Sequence, residues 1–145
     1  MASINDKIVI GFTDVRRQLE GLPKSIVNKV VRRAVYAGAT VVRNAAREKV
    51  PVDTGALKAS IVARANKNKK GEISASVGIV RRVYKRGNKK GQQSRRYAHL
   101  VEFGTAHSAA QPFMRPAMDT RIDEILDTTA AKMREGIGEE ARKKQ

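Results

Sequence analysis

The triplet Asp53-Thr54-Gly55 has the same three letters as the catalytic turn of aspartic proteases. That chemistry needs two carboxylates sharing one proton, so a chain with one such triplet would have to pair it across a two-fold axis. The flanks argue against this. In those proteases the triplet sits in a turn between strands of an all-β fold; here it follows a long helical pattern and the pair Val50-Pro51. The expected role is local. A side-chain oxygen of Asp53 or Thr54 accepts an N–H two or three residues on and caps the short segment 55–60, and Gly55 lets the chain bend. His99, Glu102 and His107 are the other candidate constellation, because His99 and Glu102 lie one helical turn apart. Zinc sites show tighter spacing than this; no third ligand is fixed, and Glu102 suits an arginine equally well. No metal site is expected.

Other chemistries lack their parts. The stretch GNKKGQ (87–92) has glycines and lysines but not the Gly-Lys-Ser/Thr that opens a phosphate-binding helix. No serine stands at a telling spacing from a histidine. With zero cysteines there is no thiolate nucleophile, disulfide or cysteine-ligated metal. The expectation is a protein without an enzymatic reaction and without a cofactor.

The elements that must position these residues are legible as periods. At 145 residues the chain is expected to form a single domain over 1–145. KIVIGF (7–12) reads as a strand, and Thr13 or Asp14 as the cap of a short helix over VRRQLE that Gly21 ends. From Lys24 to Lys49 the apolar residues Val27, Val30, Val31, Ala34, Val35, Gly38, Val41, Val42, Ala45 and Ala46 fall at helical spacing. Lys29, Arg32, Arg33, Arg43 and Arg47 lie opposite. Such a helix would be about 39 Å long at 1.5 Å per residue, between Pro23 and Pro51. SIVARA (60–65) and EISASVGIV (72–80) alternate apolar and polar residues around NKNKKG, the pattern of a hairpin with a basic turn. Residues 81–96 read as a loop, YAHLVEFG (97–104) as a short helix ended by Gly104, and TAHSAAQPFMRP as a connector stiffened by prolines. A last helix follows through Met118, Ile122, Ile125, Leu126, Thr129 and Met133, and residues 136–145 are expected to fray. The fold class is α+β: a long amphipathic helix and a C-terminal helix packed on a small antiparallel sheet with a basic hairpin and loop.

Charge narrows the partners. Thirty Lys and Arg against 14 Asp and Glu give +16, which calls for an anionic partner. From Ile61 to Leu100 there are twelve Lys or Arg and one acid, Glu72. Arg81, Arg82, Lys85, Arg86, Lys89, Lys90, Arg95 and Arg96 are the candidate contacts to DNA or to an acidic protein. Duplex DNA carries one charge per ~1.7 Å of its axis and suits such a cluster. Tyr84 and Tyr97 are too few for a base-stacking platform, so DNA contact is expected to be blind to sequence. No apolar run approaches the ~18 residues that would span a bilayer, and no apolar leader opens the chain. The expectation is a soluble chain made in a cytoplasm, with no membrane partner.

Two segments taken together resemble one family. VPVDTGALKASI (50–61), followed some forty residues later by YAHLVEFGTAHSAAQPFMRPAMD (97–119), is similar to the neck or tail-completion (head–tail joining) proteins of long-tailed, lambdoid-type bacteriophages, the gene-product-ten-like family. The pattern comprises Pro51, Asp53, Thr54, Gly55, Leu57 and Ser60, then Tyr97, Glu102, Phe103, Gly104, Thr105, Pro112, Phe113, Arg115, Pro116 and Ala117. The long loop at 81–96 has no counterpart in it. The resemblance implies a structural virion protein, made in the host cytoplasm and acting at the head–tail junction. It would form a homo-oligomeric, hexameric ring around the channel for double-stranded DNA, touching connector and tail proteins. Six copies would carry six times +16, against only about twenty phosphates in ~35 Å of duplex. Most of the basic surface would then face ions or acidic neighbours. The alternative is a sequence-nonspecific nucleic-acid-binding protein.

Overall fold

The computed structural model describes residues 13, 15–52, 55–81 and 94–143. The expected strand at 7–12, the Asp14 cap and most of the basic loop lie outside them. The fold is α+β: α1 Lys24–Lys49, α2 Ala56–Ser60, β1 Ile61–Lys67, β2 Ile73–Ile79, α3 Ser94–Phe103, α4 Met114–Asp119 and α5 Ile122–Lys143, preceded by helical residues at 15–20. It divides into two compact units, one of residues 1–38, 65–75 and 123–145, the other of 39–64 and 76–122.

Helix α1 has the expected bounds. Proline fixes φ and lacks an N–H, so it suits a helix start; the Pro23 carbonyl accepts from Ile26 and Val27 at 2.9 and 3.0 Å. At the other end Val50, restricted by Pro51, leaves the helix with its side chain buried.

In the first unit, α5 runs antiparallel to the N-terminal part of α1. Val15, Val30, Ala34, Met133 and Ile137 form its core, with Leu19, Leu22, Ile26 and Val31 packed around them. The helices approach closely because glycine stands at two facing positions. A Cβ on Gly136 would lie 2.9 Å from Val30 Cγ1. One on Gly38 would collide with Thr129 Oγ1, itself held by a 2.7 Å bond to the Ile125 carbonyl. Ion pairs Arg33–Glu139 (3.0 Å) and Lys29–Glu140 (3.4 Å) flank the seam. The Glu140 side chain is only 10 % exposed and is held also by Lys143 at 3.1 Å. The Lys143 bond, opposed by burial and helped by Lys29, keeps its carboxyl below the ordinary carboxylate value. The expected fraying of 136–145 is thus corrected: Gly136, Ile137 and Glu140 pack inward and the helix continues to Lys143, with 144–145 outside the described residues.

In the second unit, Ala45, Ala46, Val50, Leu57, Ile61, Ala98, Phe113 and Ala117 make the core. The strands form a two-stranded sheet. Bonds Val80 N–H to Ser60 O (2.9 Å) and Asn68 N–H to Glu72 O (3.0 Å) set an antiparallel register in which Ile61 faces Ile79 and Ala63 faces Val77. Successive strand residues point to opposite faces, so Ile61, Ala63 and Ala65 share a face with Ile73, Ala75, Val77 and Ile79, as the alternation predicts. Three boundaries differ from the sequence reading. Helix α3 starts at Ser94, taking Arg95 and Arg96 out of the loop. The connector contains a helix, α4, because Pro116 sits in its first turn, where a missing N–H costs nothing. Met118 belongs to α4 and not to the last helix.

Glycine to alanine in an exposed helix normally stabilises by about 1 kcal/mol. Gly138→Ala, with nothing within 4 Å of the new carbon, should follow that rule. Gly38→Ala and Gly136→Ala should instead destabilise by about 1–3 kcal/mol of overpacking and so lower the melting temperature. Thermal unfolding of the three variants checks the opposite signs.

Candidate functional site

The family-pattern residues of the C-terminal half converge on one joint between α3 and α4. A helix leaves its first N–H groups without partners inside the helix, and the usual cap is a Ser, Thr, Asp or Asn side chain at the N-cap position. Helix α4 has Phe113 there and no cap of its own. Glu102, from the last turn of α3, supplies the acceptor. Its Oε2 takes the N–H groups of Phe113 (2.8 Å) and Met114 (3.1 Å), and its Oε1 that of Arg115 (3.3 Å). Burial alone would raise this carboxyl; the three donors and the Arg115 charge outweigh it and hold the group below 4.5.

The chain between the helices folds as a tight tip. The Gly104 N–H donates to the Leu100 carbonyl (2.8 Å), Thr105 and Ser108 form a bridge, and the Gln111 N–H returns to the Val101 carbonyl (2.8 Å). Gly104 has φ +76°, and a Cβ there would stand 2.8 Å from the Ala110 nitrogen. Both facts demand glycine. Phe113 is 0 % exposed, in the core with Ala98 and Ala117, and Tyr97 is half-buried against it. Pro112 and Arg115 are exposed; Pro116 is half-buried, and its carbonyl accepts from Thr120 Oγ1 at 2.7 Å. Phe103 points the other way, 71 % exposed, with the His99 ring edge-on to it at 4.8 Å between centroids. His107 lies exposed in the tip, its N–H on Thr105 Oγ1 at 3.2 Å. Among the described residues no group of three His, Asp or Glu side chains is placed to hold a metal ion.

The D-T-G region is described only in part. Asp53 and Thr54 lie outside the described residues. The N-cap residue of α2 is Gly55, with φ +74°; the expected cap by Asp53 or Thr54 falls on residues outside the described ones. Of the candidate basic contacts, Arg82, Lys85, Arg86, Lys89 and Lys90 also lie outside. Arg81 is exposed after β2, and Arg95 and Arg96 are exposed in the first turn of α3. The buried hydroxyl of Ser94 donates to the Val80 carbonyl at 2.8 Å, so the chain leaves and re-enters the fold at one place.

Two roles escaped the sequence reading. Arg47, expected on the face opposite the apolar residues, places Nε and Nη2 on the Ile61 carbonyl at 3.2 and 2.7 Å, joining α1 to the start of β1. Glu102 is a cap supplied from another helix. Its signal was available as an omission: Phe-Met-Arg-Pro opens a helix with no capping residue before it.

Two predictions test the joint. Glu102→Gln should cost about 1 kcal/mol, as loss of a cap does. Because the carboxyl is lowered in the folded state, wild type holds this advantage at pH above 4.5 and loses it as pH falls through the depressed folded value. Urea unfolding of both proteins across pH checks the convergence. Phe113→Ala should cost about 3–5 kcal/mol, while Phe103→Ala should stay within about 0.5 kcal/mol.

Comparison with known proteins bears on what this joint serves. The model of the HK97-gp10-like family, described as "Bacteriophage HK97-gp10, putative tail-component", matches residues 13–104, more than half of the chain. The match takes in α1, the D-T-G region, the hairpin and α3, ending at Gly104 before α4. No curated protein and no solved structure matches. The chain belongs to the HK97-gp10-like family of bacteriophage tail components.

Proposed function

We propose that the protein is a non-enzymatic structural component of the virion, forming a ring at the head–tail junction around the DNA channel and completing the tail or neck. The observation that carries this reading is the fate of the Glu102 carboxylate. Of the two acids of the pattern, Asp53 lies outside the described residues, and Glu102 is taken up by three backbone donors while its neighbour Phe103 is left exposed. A group so used sets the angle between two helices. An exposed aromatic beside it suits protein contact. Ring assembly would bring copies of a chain of charge +16 together, so acidic neighbours and DNA phosphates both serve as counter-charges.

The second reading, sequence-blind nucleic-acid binding, is favoured by Arg81, Arg95 and Arg96, which make no ion pair among the described residues. The two readings separate in a complementation experiment. Phage lacking this chain should accumulate filled heads and separate tails, counted by electron microscopy. A variant with Arg81, Arg82, Lys85 and Arg86 all changed to Gln should restore joining, because most of the positive charge remains. If joining instead falls in step with DNA affinity, measured by filter binding over a salt series, the nucleic-acid reading replaces the structural one.

A further inference from the structure

Helix α3 is ten residues long, and its exposed face has a definite composition. At about 100° per residue, Arg95, Arg96, His99, Leu100 and Phe103 project opposite the buried Ser94 and Ala98. Leu100 is 46 % exposed and Phe103 71 %. A basic pair at a helix N-terminus opposes the helix dipole, so Arg95 and Arg96 are not placed there for the stability of α3. Neither makes an ion pair among the described residues.

Helix α5 begins with the opposite chemistry. Ile122 lies in line with the buried stripe of its own helix yet is 42 % exposed. Asp123 and Asp127 lie about 100° and 140° round the helix from it, exposed and without an ion pair among the described residues. Most other described acids are engaged: Glu20, Glu48, Glu135, Glu139 and Glu140 in ion pairs and Glu102 on the backbone. In a chain with 30 cations and 14 acids, two aspartates without a cation beside an uncovered isoleucine are unusual. The dipole of α5 accounts for Asp123 in the first turn, but Asp127 lies a turn further on.

We infer that the exposed face of α3 docks on the first two turns of α5 in a second copy of this chain. The basic-apolar face carrying Arg95, Arg96 and Phe103 meets the acidic-apolar surface of Ile122, Asp123 and Asp127. The inference rests on the ring reading above and names its contact. The two surfaces are of opposite charge and lie on different elements. A contact that set this face of α3 against its own copy would bring Arg95 and Arg96 against themselves, which like charges disfavour. The contact therefore pairs two different surfaces, and when repeated head-to-tail such a contact generates a ring if its rotation closes.

Charge reversal tests this. Arg95→Glu/Arg96→Glu and Asp123→Lys/Asp127→Lys each make both surfaces of a subunit alike in sign. Each variant should stay monomeric by light scattering and mass photometry at concentrations where wild type assembles, with its circular dichroism unchanged. Mixing the two variants pairs each reversed surface with its complement, so assembly should return; so should it in the chain carrying all four substitutions. Assembly of wild type should weaken with added salt. Wild type that stays monomeric throughout the concentration series, or variants that assemble unaided, would overturn the inference. So would an Arg95→Glu/Arg96→Glu chain that assembles normally but loses duplex DNA binding, since that assigns the face to nucleic acid. None of these outcomes decides the head–tail reading, which the joining count tests by itself.

Discussion

One carboxylate holds the second unit of this protein in shape. A buried aromatic at the N-cap of a helix is a poor arrangement on its own, because the side chain that should accept the first N–H groups is spent on the core. Here Phe113 fills the core and Glu102 does the accepting. The residues linked in this way, 102 on α3 and 113–115 on α4, are eleven to thirteen apart. The tip between them is forced to close, and Gly104 is the residue whose backbone lets it. Removing any one of the three undoes the reason for the others. This is why Glu-Phe-Gly and Gln-Pro-Phe-Met-Arg-Pro form a single pattern, although a loop separates them.

The first unit rests on a different constraint, the distance between two helices. Helix surfaces built of valine and alanine gain little from each contact, so they need many at short range. Gly38 and Gly136 provide the range. The flanking ion pairs then bring opposite charges from the two helices together along the seam, and Glu140 is buried only because two lysines reach it. The price of so close a fit is that the seam tolerates no extra methyl group at those glycines.

Much of this was legible beforehand. The prolines at 23 and 51 bound α1 because their rings act locally, and the hairpin followed from alternation, also a local property. The parts that were missed depend on partners distant in sequence. Ser94 starts α3 because its hydroxyl finds the Val80 carbonyl across an intervening segment. Residues 136–143 are helical because Val30 and Lys29 cover them; read alone, two glycines and a run of charges predict fraying. Helix α4 escapes a local reading because its cap lies on another helix. The expected cap by Asp53 or Thr54 falls on residues outside the described ones; next to them Gly55, with φ +74°, holds the N-cap position of α2.

The bond from Ser94 to Val80 has a consequence for how this chain can vary. It fastens Val80 and Ser94, the residues on either side of the segment 81–93, to one another. Closure entropy grows slowly with the length of a closed loop, by about 0.6 kcal/mol per doubling. The site is thus an insertion port: residues can be gained, lost or exchanged there while α3 keeps its register. A fluorescent or affinity module spliced into it should leave Ser94 on the Val80 carbonyl and Glu102 on the start of α4.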